Sequence, residues 1–383
     1  RNALMFAVAG AFMGLAFLTK GPVGIVLPAA VMGIYLILVK EPLWIFRRET
    51  VWMTCAFILV AAPWYAALAL TGHGDFLQDF FIRHNFERAT DPFNHQQPFW
   101  YYGPRLLSDL FPWSLLLPAA LLVPVRNELE RRARLFSWIW LGVVFLFFSA
   151  LGSKRGVYLL PMYPAAALLT GKLGDEILAA RAPGWMVVWG RWMLRFLSVF
   201  FALGAALTFG ALAYALLQGR YRAEAAGLLP IGGLALAGAV AIHRFMKRGR
   251  LPTAGAGVAV TMAGAYLLAN LVIFPLADRH KSAVPFCRQV QAVVPANGEI
   301  RSFGLWRWDA VYIYYTGRLM PVPRTPGQMA AYLGENRQVF VLVESSEMDR
   351  FLAEIKVPAR VVLRQDIGHK TTALLTNQVN RPI

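Results

Sequence analysis

Nine apolar runs recur along this chain, each close to the length that a helix needs to cross a lipid bilayer. They lie at residues 3–19, 22–39, 51–71, 105–123, 135–151, 156–171, 192–217, 225–243 and 253–275. A spanning helix takes about 20 mainly apolar residues, because the bilayer holds no water to satisfy exposed backbone groups. Of 383 residues, 57% are hydrophobic and 15% charged, which excludes an ordinary soluble globular protein. We therefore predict an α-helical polytopic membrane protein with about nine spans in this chain.

Lysine and arginine are concentrated in alternate connections between these runs. If residue 1 lies inside, the cytoplasmic connections hold Lys40, Arg47, Arg48, Arg126, Arg131, Arg132, Arg134, Lys172, Arg181, Arg191, Arg244, Lys247, Arg248 and Arg250. Because cationic loops are retained in the cytoplasm, loops 72–104, 152–156 and 218–224 and the tail after residue 276 lie outside. The net charge of +17 is largely this topology signal. No basic arm or RNA-binding motif indicates a nucleic-acid partner.

The composition changes after the ninth run, and this change divides the chain into two domains. Residues 1–278 are predicted to form the transmembrane domain, and residues 279–383 a small extracytoplasmic α/β domain. Its pattern predicts helices at 284–294, 326–335 and 346–355, and strands at 299–304, 338–343 and 359–365. The small domain has no nucleophile elbow, phosphate loop or metal-ligand spacing, which favours packing or acceptor binding over a second catalytic centre.

Three cations lie at outer ends of spans, against the topological bias. Lys154 and Arg155 occupy the short turn "SKRGVY", which also contains Tyr158, and Lys20 ends the first run in "FLTKGPVG". As interface anchors, the two turn cations would be interchangeable. Lys20 could equally extend to the interface as a helix-capping lysine or face a ligand.

The long loop 72–104 supplies a second candidate group. His84 and Arg88 are four residues apart and would share one side of a short interfacial helix. An arginine there either meets lipid phosphate nonspecifically or binds a phosphate in two-point geometry with help from the histidine. The aromatic run 98–102 is typical of an anchor at the membrane surface.

Cations beside an apolar groove suit a ligand with an anionic head and a hydrocarbon tail. If Lys154, Arg155, His84, Arg88 and Lys20 line one cavity at the outer face, a lipid phosphate is the ligand that fits it.

Four stretches resemble, in order and spacing, the bacterial glycosyltransferases related to protein O-mannosyltransferases, and the family of lipid A aminoarabinose transferases most of all. They are "GLAFLTKGPVG", "FFIRHNFERATDPFNHQQPFWYYGPRLLSDLFPWSLLLP", "SKRGVYLLPMYPAAALL" and "DRHKSAVPFCRQVQAVVP". The resemblance covers nearly the whole chain. It implies a GT-C fold in the bacterial inner membrane, with the C-terminal domain on the periplasmic or extracellular side. It further implies sugar transfer from a polyprenyl-phosphate donor to a lipid, glycan or protein acceptor.

The same resemblance implies roles for individual residues. Arg88 and Tyr158 match positions that contact the donor phosphate, His84 matches the loop histidine, and Lys154 lies in the matching basic turn. "SKRGVYLLP" departs from the family's turn in detail, so the separate roles of Lys154 and Arg155 stay open.

The family's essential acidic residue lies in its first outer loop, after the first span. This chain resembles the family from about its fifth span, so we expect that loop to lie upstream of Arg1 and leave the catalytic residue unassigned. The acids in the long loop and the start of the next span match none of the family's positions: Asp75, Asp79, Glu87, Asp91 and Asp109.

Two other readings remain open at this point. A transporter or flippase for a lipid or an anion would also place cations in an apolar groove, although no internal repeat is visible. A noncatalytic assembly subunit is the third reading. No cofactor is predicted and a divalent metal is left open, although His73, His95 and Asp91 match no metal-ligand pattern. The sequence does not name the sugar, the acceptor or the oligomeric state.

Overall fold

The computed structural model describes residues 2–72, 97–218, 227–305, 309–323, 325–368 and 370–377. The apolar part contains α1 (Asn2–Lys20), α2 (Val23–Leu38), α3 (Glu49–Leu70), α4 (Tyr102–Asp109), α5 (Leu117–Leu121), α6 (Glu128–Ala150), α7 (Tyr163–Leu178), α8 (Gly184–Gln218), α9 (Leu229–Lys247), α10 (Leu251–Leu268) and α11 (Phe274–Lys281). The tail adds helices α12 (Val284–Val293), α13 (Asp309–Thr316), α14 (Pro326–Leu333) and α15 (Met348–Ile355). Its strands are β1 (Ile300–Phe303), β2 (Phe340–Glu344), β3 (Arg360–Ile367) and β4 (Lys370–Thr376). By their contacts these residues form two compact units, 1–203 with 236–260 and 204–235 with 261–383.

The predicted fold class, a polytopic helical membrane protein with a small α/β region, is confirmed, but the prediction of about nine spans needs correction. Within the described ranges, six helices are long and apolar enough to cross a bilayer: α1, α3, α6, α8, α9 and the continuous run from α10 into α11. Helix α2 is apolar but has only 16 residues.

Proline explains why two predicted spans are not continuous helices. The run 105–123 breaks into α4, a 3₁₀ turn at Trp113–Leu115 and α5, with Pro112 and Pro118 at the breaks. The run 156–171 begins as a 3₁₀ helix, Gly156–Met162, which contains Pro161. Proline lacks the N–H that an α-helix needs, yet it does not interrupt an apolar composition.

Glycine allows α1 and α3 to touch backbone to backbone. Gly10 and Gly14 are buried, four residues apart on α1. A Cβ atom at Gly10 would lie 2.0 Å from the Met53 carbonyl oxygen, and one at Gly14 would lie 2.9 Å from Cβ of Val60. This small-xxx-small contact is a common way for helices to pack in membranes, where hydrophobic burial does not favour association.

Acidic and basic side chains pair at the end of α6 and α7 that lies away from the 151–158 turn. We call this group the inner network; its members are Arg126, Glu130, Lys172, Asp175, Glu176 and Arg181. The fully buried Glu176 carboxylate accepts hydrogen bonds from Arg126 (3.0 Å) and Arg181 (3.3 Å) and lies 2.9 Å from Lys172 Nζ. Lys172 also donates to Glu130 at 3.0 Å. The three cations all come from connections that the charge pattern predicted to be cytoplasmic.

The tail folds around a four-stranded sheet of order β1-β2-β4-β3, in which β1 pairs parallel with β2 and the other pairs are antiparallel. Phe340 and Leu342 pack into one core and Val341 and Val343 into another. Both faces of β2 are therefore covered, which explains its unbroken apolar sequence. The three predicted helices and three predicted strands of the tail are confirmed. Helix α13 and strand β4 were not predicted.

Candidate functional site

An apolar cavity of about 870 Å³ lies between the α1–α2 hairpin and α6. Its walls are two stripes of apolar side chains at helical spacing. Helix α6 contributes Phe136, Trp140, Val144 and Phe148, and α2 contributes side chains from Val23 to Met32. Spacing of three to four residues puts such side chains on one face of each helix. The polar exceptions are Thr19, Lys20, Ser153 and Tyr158, which all come from the tip of the hairpin or from the segment after α6.

The α1–α2 turn fixes the position of Lys20 at this polar end, which we call the mouth of the cavity. Gly21 ends α1 with φ of 63°, a left-handed conformation that glycine adopts without strain. Its N–H donates to the Phe17 carbonyl at 2.8 Å, and Pro22 starts the next turn. A Cβ atom at Gly24 would lie 2.6 Å from the Ala16 carbonyl carbon, so the two helices cross closely.

Lys20 faces the aromatic ring of Tyr158. Its Nζ lies 5.8 Å from the ring centroid, within the range of a cation–π contact. In the part of the chain that the structure describes, no carboxylate lies within ion-pair distance of Lys20. Tyr158 also stacks on Phe148, with ring centroids 5.2 Å apart. The mouth therefore carries a positive charge beside an apolar chamber.

The turn after α6 is held in place by Lys154. This side chain is only 5% exposed, and its ammonium donates to the carbonyls of Gln97 (3.2 Å) and Leu151. Gln97 N–H donates to the Gly152 carbonyl at 3.4 Å, which adds a second tie between the same two segments. Burial lowers the pKa of Lys154. The ammonium of Lys154 thus bonds two backbone carbonyls and does not line the cavity. It is one of the cations that lie at an outer end of a span, where the charge pattern of the chain disfavours them.

A buried tyrosine clamps the same turn from the other side. The Tyr102 hydroxyl donates to the Arg155 carbonyl and accepts from the Arg155 N–H, both at 3.1 Å. Both bonds involve the backbone of Arg155, a residue that is exposed. The fixed turn places Ser153 and Tyr158 on the cavity wall.

Asp109 belongs to a separate polar group beside the turn. Its carboxylate accepts from Arg105 Nε at 2.8 Å and from the Tyr163 hydroxyl at 3.2 Å. Arg105 in turn lies against Gly156, where a Cβ atom would come within 2.6 Å of Nε. Asp109 is therefore part of an ion pair that packs against the turn.

The structure brings together some of the predicted site residues. Lys20 and Tyr158 meet at the mouth, and Lys154 and Arg155 lie in the adjoining turn without lining the cavity. His84 and Arg88 lie outside the described residues, as do the acids and histidines of the loop: His73, Asp75, Asp79, Glu87, Asp91 and His95. Among the residues that are described, no group of three possible metal ligands occurs.

Sequence reasoning missed two parts of this site. The first is the apolar chamber itself, whose signal was present as the four-residue spacing from Phe136 to Phe148. The second is Ser153, for which a serine next to a basic pair gives no distinguishing signal.

The chain is similar to known proteins in two ways: part of its sequence matches curated proteins, and its whole fold matches solved structures. No known family profile matches the chain. Two curated relatives are undecaprenyl phosphate-alpha-4-amino-4-deoxy-L-arabinose arabinosyl transferases. The one from Photorhabdus laumondii is 28% identical over 183 residues, and the one from Proteus mirabilis is 32% identical over 176 residues. These matches span 46% and 45% of this chain, but only 32% and 31% of the relatives, so the matched region is about a third of their length.

Two crystal structures of ArnT from Cupriavidus metallidurans match almost the whole chain. The structure bound to undecaprenyl phosphate has a TM-score of 0.72 at 20% identity, covering 99% of this chain and 70% of ArnT. The apo structure has a TM-score of 0.71 at 19% identity. The fold is that of ArnT. The resemblance to the aminoarabinose transferases and their GT-C fold is thereby confirmed, and nothing in these matches supports the transporter reading.

Proposed function

We propose that this chain is part of a membrane glycosyltransferase that takes its sugar from a polyprenyl-phosphate donor. The observation that carries the proposal is the cavity of about 870 Å³, apolar along its length and cationic at its mouth. Its chemistry matches a lipid phosphate, and the same fold in ArnT occurs bound to undecaprenyl phosphate.

The head group, rather than the tail, decides which lipid occupies such a cavity. A hydrocarbon tail gains little by moving from bilayer to cavity, because both surroundings are apolar. A hydrogen bond to a charged group contributes about 1.5–3 kcal/mol, which is enough to select a lipid phosphate over the parent alcohol. Lys20 supplies such a charge at the mouth.

The proposed donor-phosphate site extends beyond Lys20 and Tyr158. We include Arg155, which is exposed in the adjoining turn, and also Arg88 and His84, which belong to it by the family resemblance alone. Lys154 would join them by exchanging the Gln97 carbonyl for a phosphate oxygen, while it keeps Leu151.

In the transfer itself, the bond between the sugar and the phosphate breaks and negative charge grows on the leaving phosphate. Cations fixed beforehand around that phosphate stabilise the charge. A carboxylate would take the proton of the acceptor hydroxyl. We propose that this carboxylate comes from the family's first outer loop, outside this chain. Asp109 is a poor candidate because Arg105 and Tyr163 already engage it.

We further propose that transfer takes place at the outer face of the bacterial inner membrane, with residues 279–383 on the periplasmic side. A lipid A-type acceptor is favoured over a glycan or a protein, because the likeness is to the aminoarabinose transferases. Cysteine introduced at Asn297 should react with an impermeant reagent in intact spheroplasts. Reaction only after lysis would contradict this orientation.

The donor site is tested by lipid binding. The chain in phosphatidylcholine nanodiscs should bind undecaprenyl phosphate more tightly than undecaprenol. Lys20→Ala should weaken the binding of the phosphate by about tenfold, as expected for loss of one charged contact. Lys247→Ala, at the end of another helix, is the matched control and should leave binding unchanged. Equal binding of the two lipids by the unmodified chain would contradict the proposal.

A further inference from the structure

Ser153 is a buried hydroxyl on the wall of an otherwise apolar cavity. The residue is 5% exposed and lies near the mouth, where Lys20 and Tyr158 also line the cavity. Its Oγ has no hydrogen-bond partner within the part of the chain that the structure describes. Most buried side-chain polar atoms in proteins have such a partner, so an orphaned hydroxyl at this place needs an explanation.

Two neighbouring polar side chains, Thr19 and Lys154, differ from Ser153 because the protein itself satisfies them. Thr19 also lines the cavity, but its hydroxyl donates to the carbonyls of Leu15 (3.1 Å) and Ala16 (3.0 Å). Lys154, next in the chain, donates to the carbonyls of Gln97 and Leu151. At the mouth, the ammonium of Lys20 and the hydroxyls of Ser153 and Tyr158 are therefore the polar groups left to serve a ligand.

The turn that carries Ser153 is held from both sides. Lys154 ties it to Gln97, and the Tyr102 hydroxyl bonds both backbone groups of Arg155. These bonds limit movement of the backbone next to Ser153. Rotation about χ1 is the simplest way for its Oγ to reach a ligand, because a serine has other staggered positions.

We propose that Ser153 is a ligand-binding residue whose hydroxyl donates to the phosphoryl head of the lipid in the cavity, beside Lys20. The identity of the lipid rests on the proposed function. That the Ser153 hydroxyl lacks a hydrogen-bond partner within the described residues is an independent observation. The hydroxyl favours a lipid phosphate over a lipid alcohol, because a charged oxygen is the stronger acceptor. Lys20 supplies charge, whereas Ser153 supplies a directed hydrogen bond at short range.

The test compares two serines near the same end of α6. Ser149 Oγ is likewise buried and without a hydrogen-bond partner among the described residues, but Ser149 does not line the cavity. With the full chain in phosphatidylcholine nanodiscs, Ser153→Ala should weaken binding of undecaprenyl phosphate by about tenfold, as expected for one charge-assisted hydrogen bond. Binding of undecaprenol should not change. Ser149→Ala should leave both affinities unchanged, and Ser153→Thr should restore most of the affinity for the phosphate.

Thermal unfolding of the lipid-free chain gives a second readout that a structural role would not produce. Removing an unsatisfied buried hydroxyl should leave the melting temperature of Ser153→Ala unchanged or raise it, while affinity for the phosphate falls. A fall in both quantities would assign Ser153 a structural role and overturn the inference. If the unmodified chain prefers the phosphate and Ser153→Ala binds as Ser149→Ala does, the inference about Ser153 alone fails. If the unmodified chain shows no preference for the phosphate, the proposed function fails with it.

Discussion

The inner network contains several cations, as do the mouth of the cavity and its adjoining turn taken together, but the two regions use them differently. In the inner network every cation has a carboxylate partner, and the fully buried Glu176 is bonded or paired to Arg126, Lys172 and Arg181. At the mouth, Lys20 faces an aromatic ring and Lys154 faces two carbonyls. Charges paired with each other hold helices together, whereas cations without a carboxylate are left to attract an anion.

The comparison also shows how the two regions would respond to loss of a side chain. Removing Glu176, the fully buried member of the inner network, leaves three cations without their shared carboxylate, which weakens the fold. Removing Lys20 leaves no counter-charge behind, so the effect should fall on ligand binding instead. The three predictions below run from the largest expected effect to the smallest.

Glu176→Ala should produce the largest change. Removing a buried carboxylate that serves three cations should lower the free energy of unfolding by about 3 kcal/mol, at the low end for a broken buried pair, because the cations are partly exposed. Thermal unfolding in detergent measures the change. Asp175→Asn, whose side chain is 59% exposed, is the control and should have little effect. Equal stability of the two variants would show that the inner network does not hold the helices.

Lys154→Ala should affect both quantities, because Lys154 supports the turn and belongs to the proposed phosphate site. Loss of its bonds to Gln97 and Leu151 should destabilise the fold by about 1–2 kcal/mol and weaken binding of undecaprenyl phosphate by about tenfold. Arg155→Ala keeps both bonds between the Tyr102 hydroxyl and the backbone of residue 155, and it should also weaken binding of undecaprenyl phosphate by about tenfold. Unchanged affinity in both variants would make the turn cations simple interface anchors.

Tyr158→Phe should have the smallest effect. The ring that stacks on Phe148 and faces Lys20 is retained, and only a neutral hydroxyl is lost. We expect binding of undecaprenyl phosphate to weaken about threefold to fivefold, below the loss expected for a cation. Lipid titration in nanodiscs measures the change. A loss as large as that of Lys20→Ala would mean that the hydroxyl contacts the phosphate as strongly as a charge does.

Composition and periodicity predicted the helical membrane class and six elements of the tail. They failed where the decisive property is not hydropathy. Pro112 and Pro161 look apolar but lack the N–H that a continuous helix needs. Strand β4 begins Lys370-Thr371-Thr372, which gives little apolar signal before the strand pairs with β2.

The partner of a single polar group could not be predicted either. A lysine in an outer turn can face lipid, a ligand or the backbone, and sequence alone does not tell these apart. Lys154 is bonded to carbonyls 3 and 57 residues earlier in the chain, and the second of these depends on tertiary structure. Ser153 and Ser149 both have a buried hydroxyl without a hydrogen-bond partner among the described residues, but only Ser153 lines the cavity.

The tight α1–α2 turn has a consequence for the time course of binding. Gly21 and Pro22 fix the backbone beside Lys20, so a lipid arriving at the mouth does not have to order this turn. Ordering the side chain of Lys20 around the head group costs about 1.5–2 kcal/mol in rotamer freedom. Where a site is formed in advance, the association rate changes little between variants, and most of the change in affinity comes from dissociation. The residence time of the lipid is thus the quantity that substitutions at the mouth should shorten.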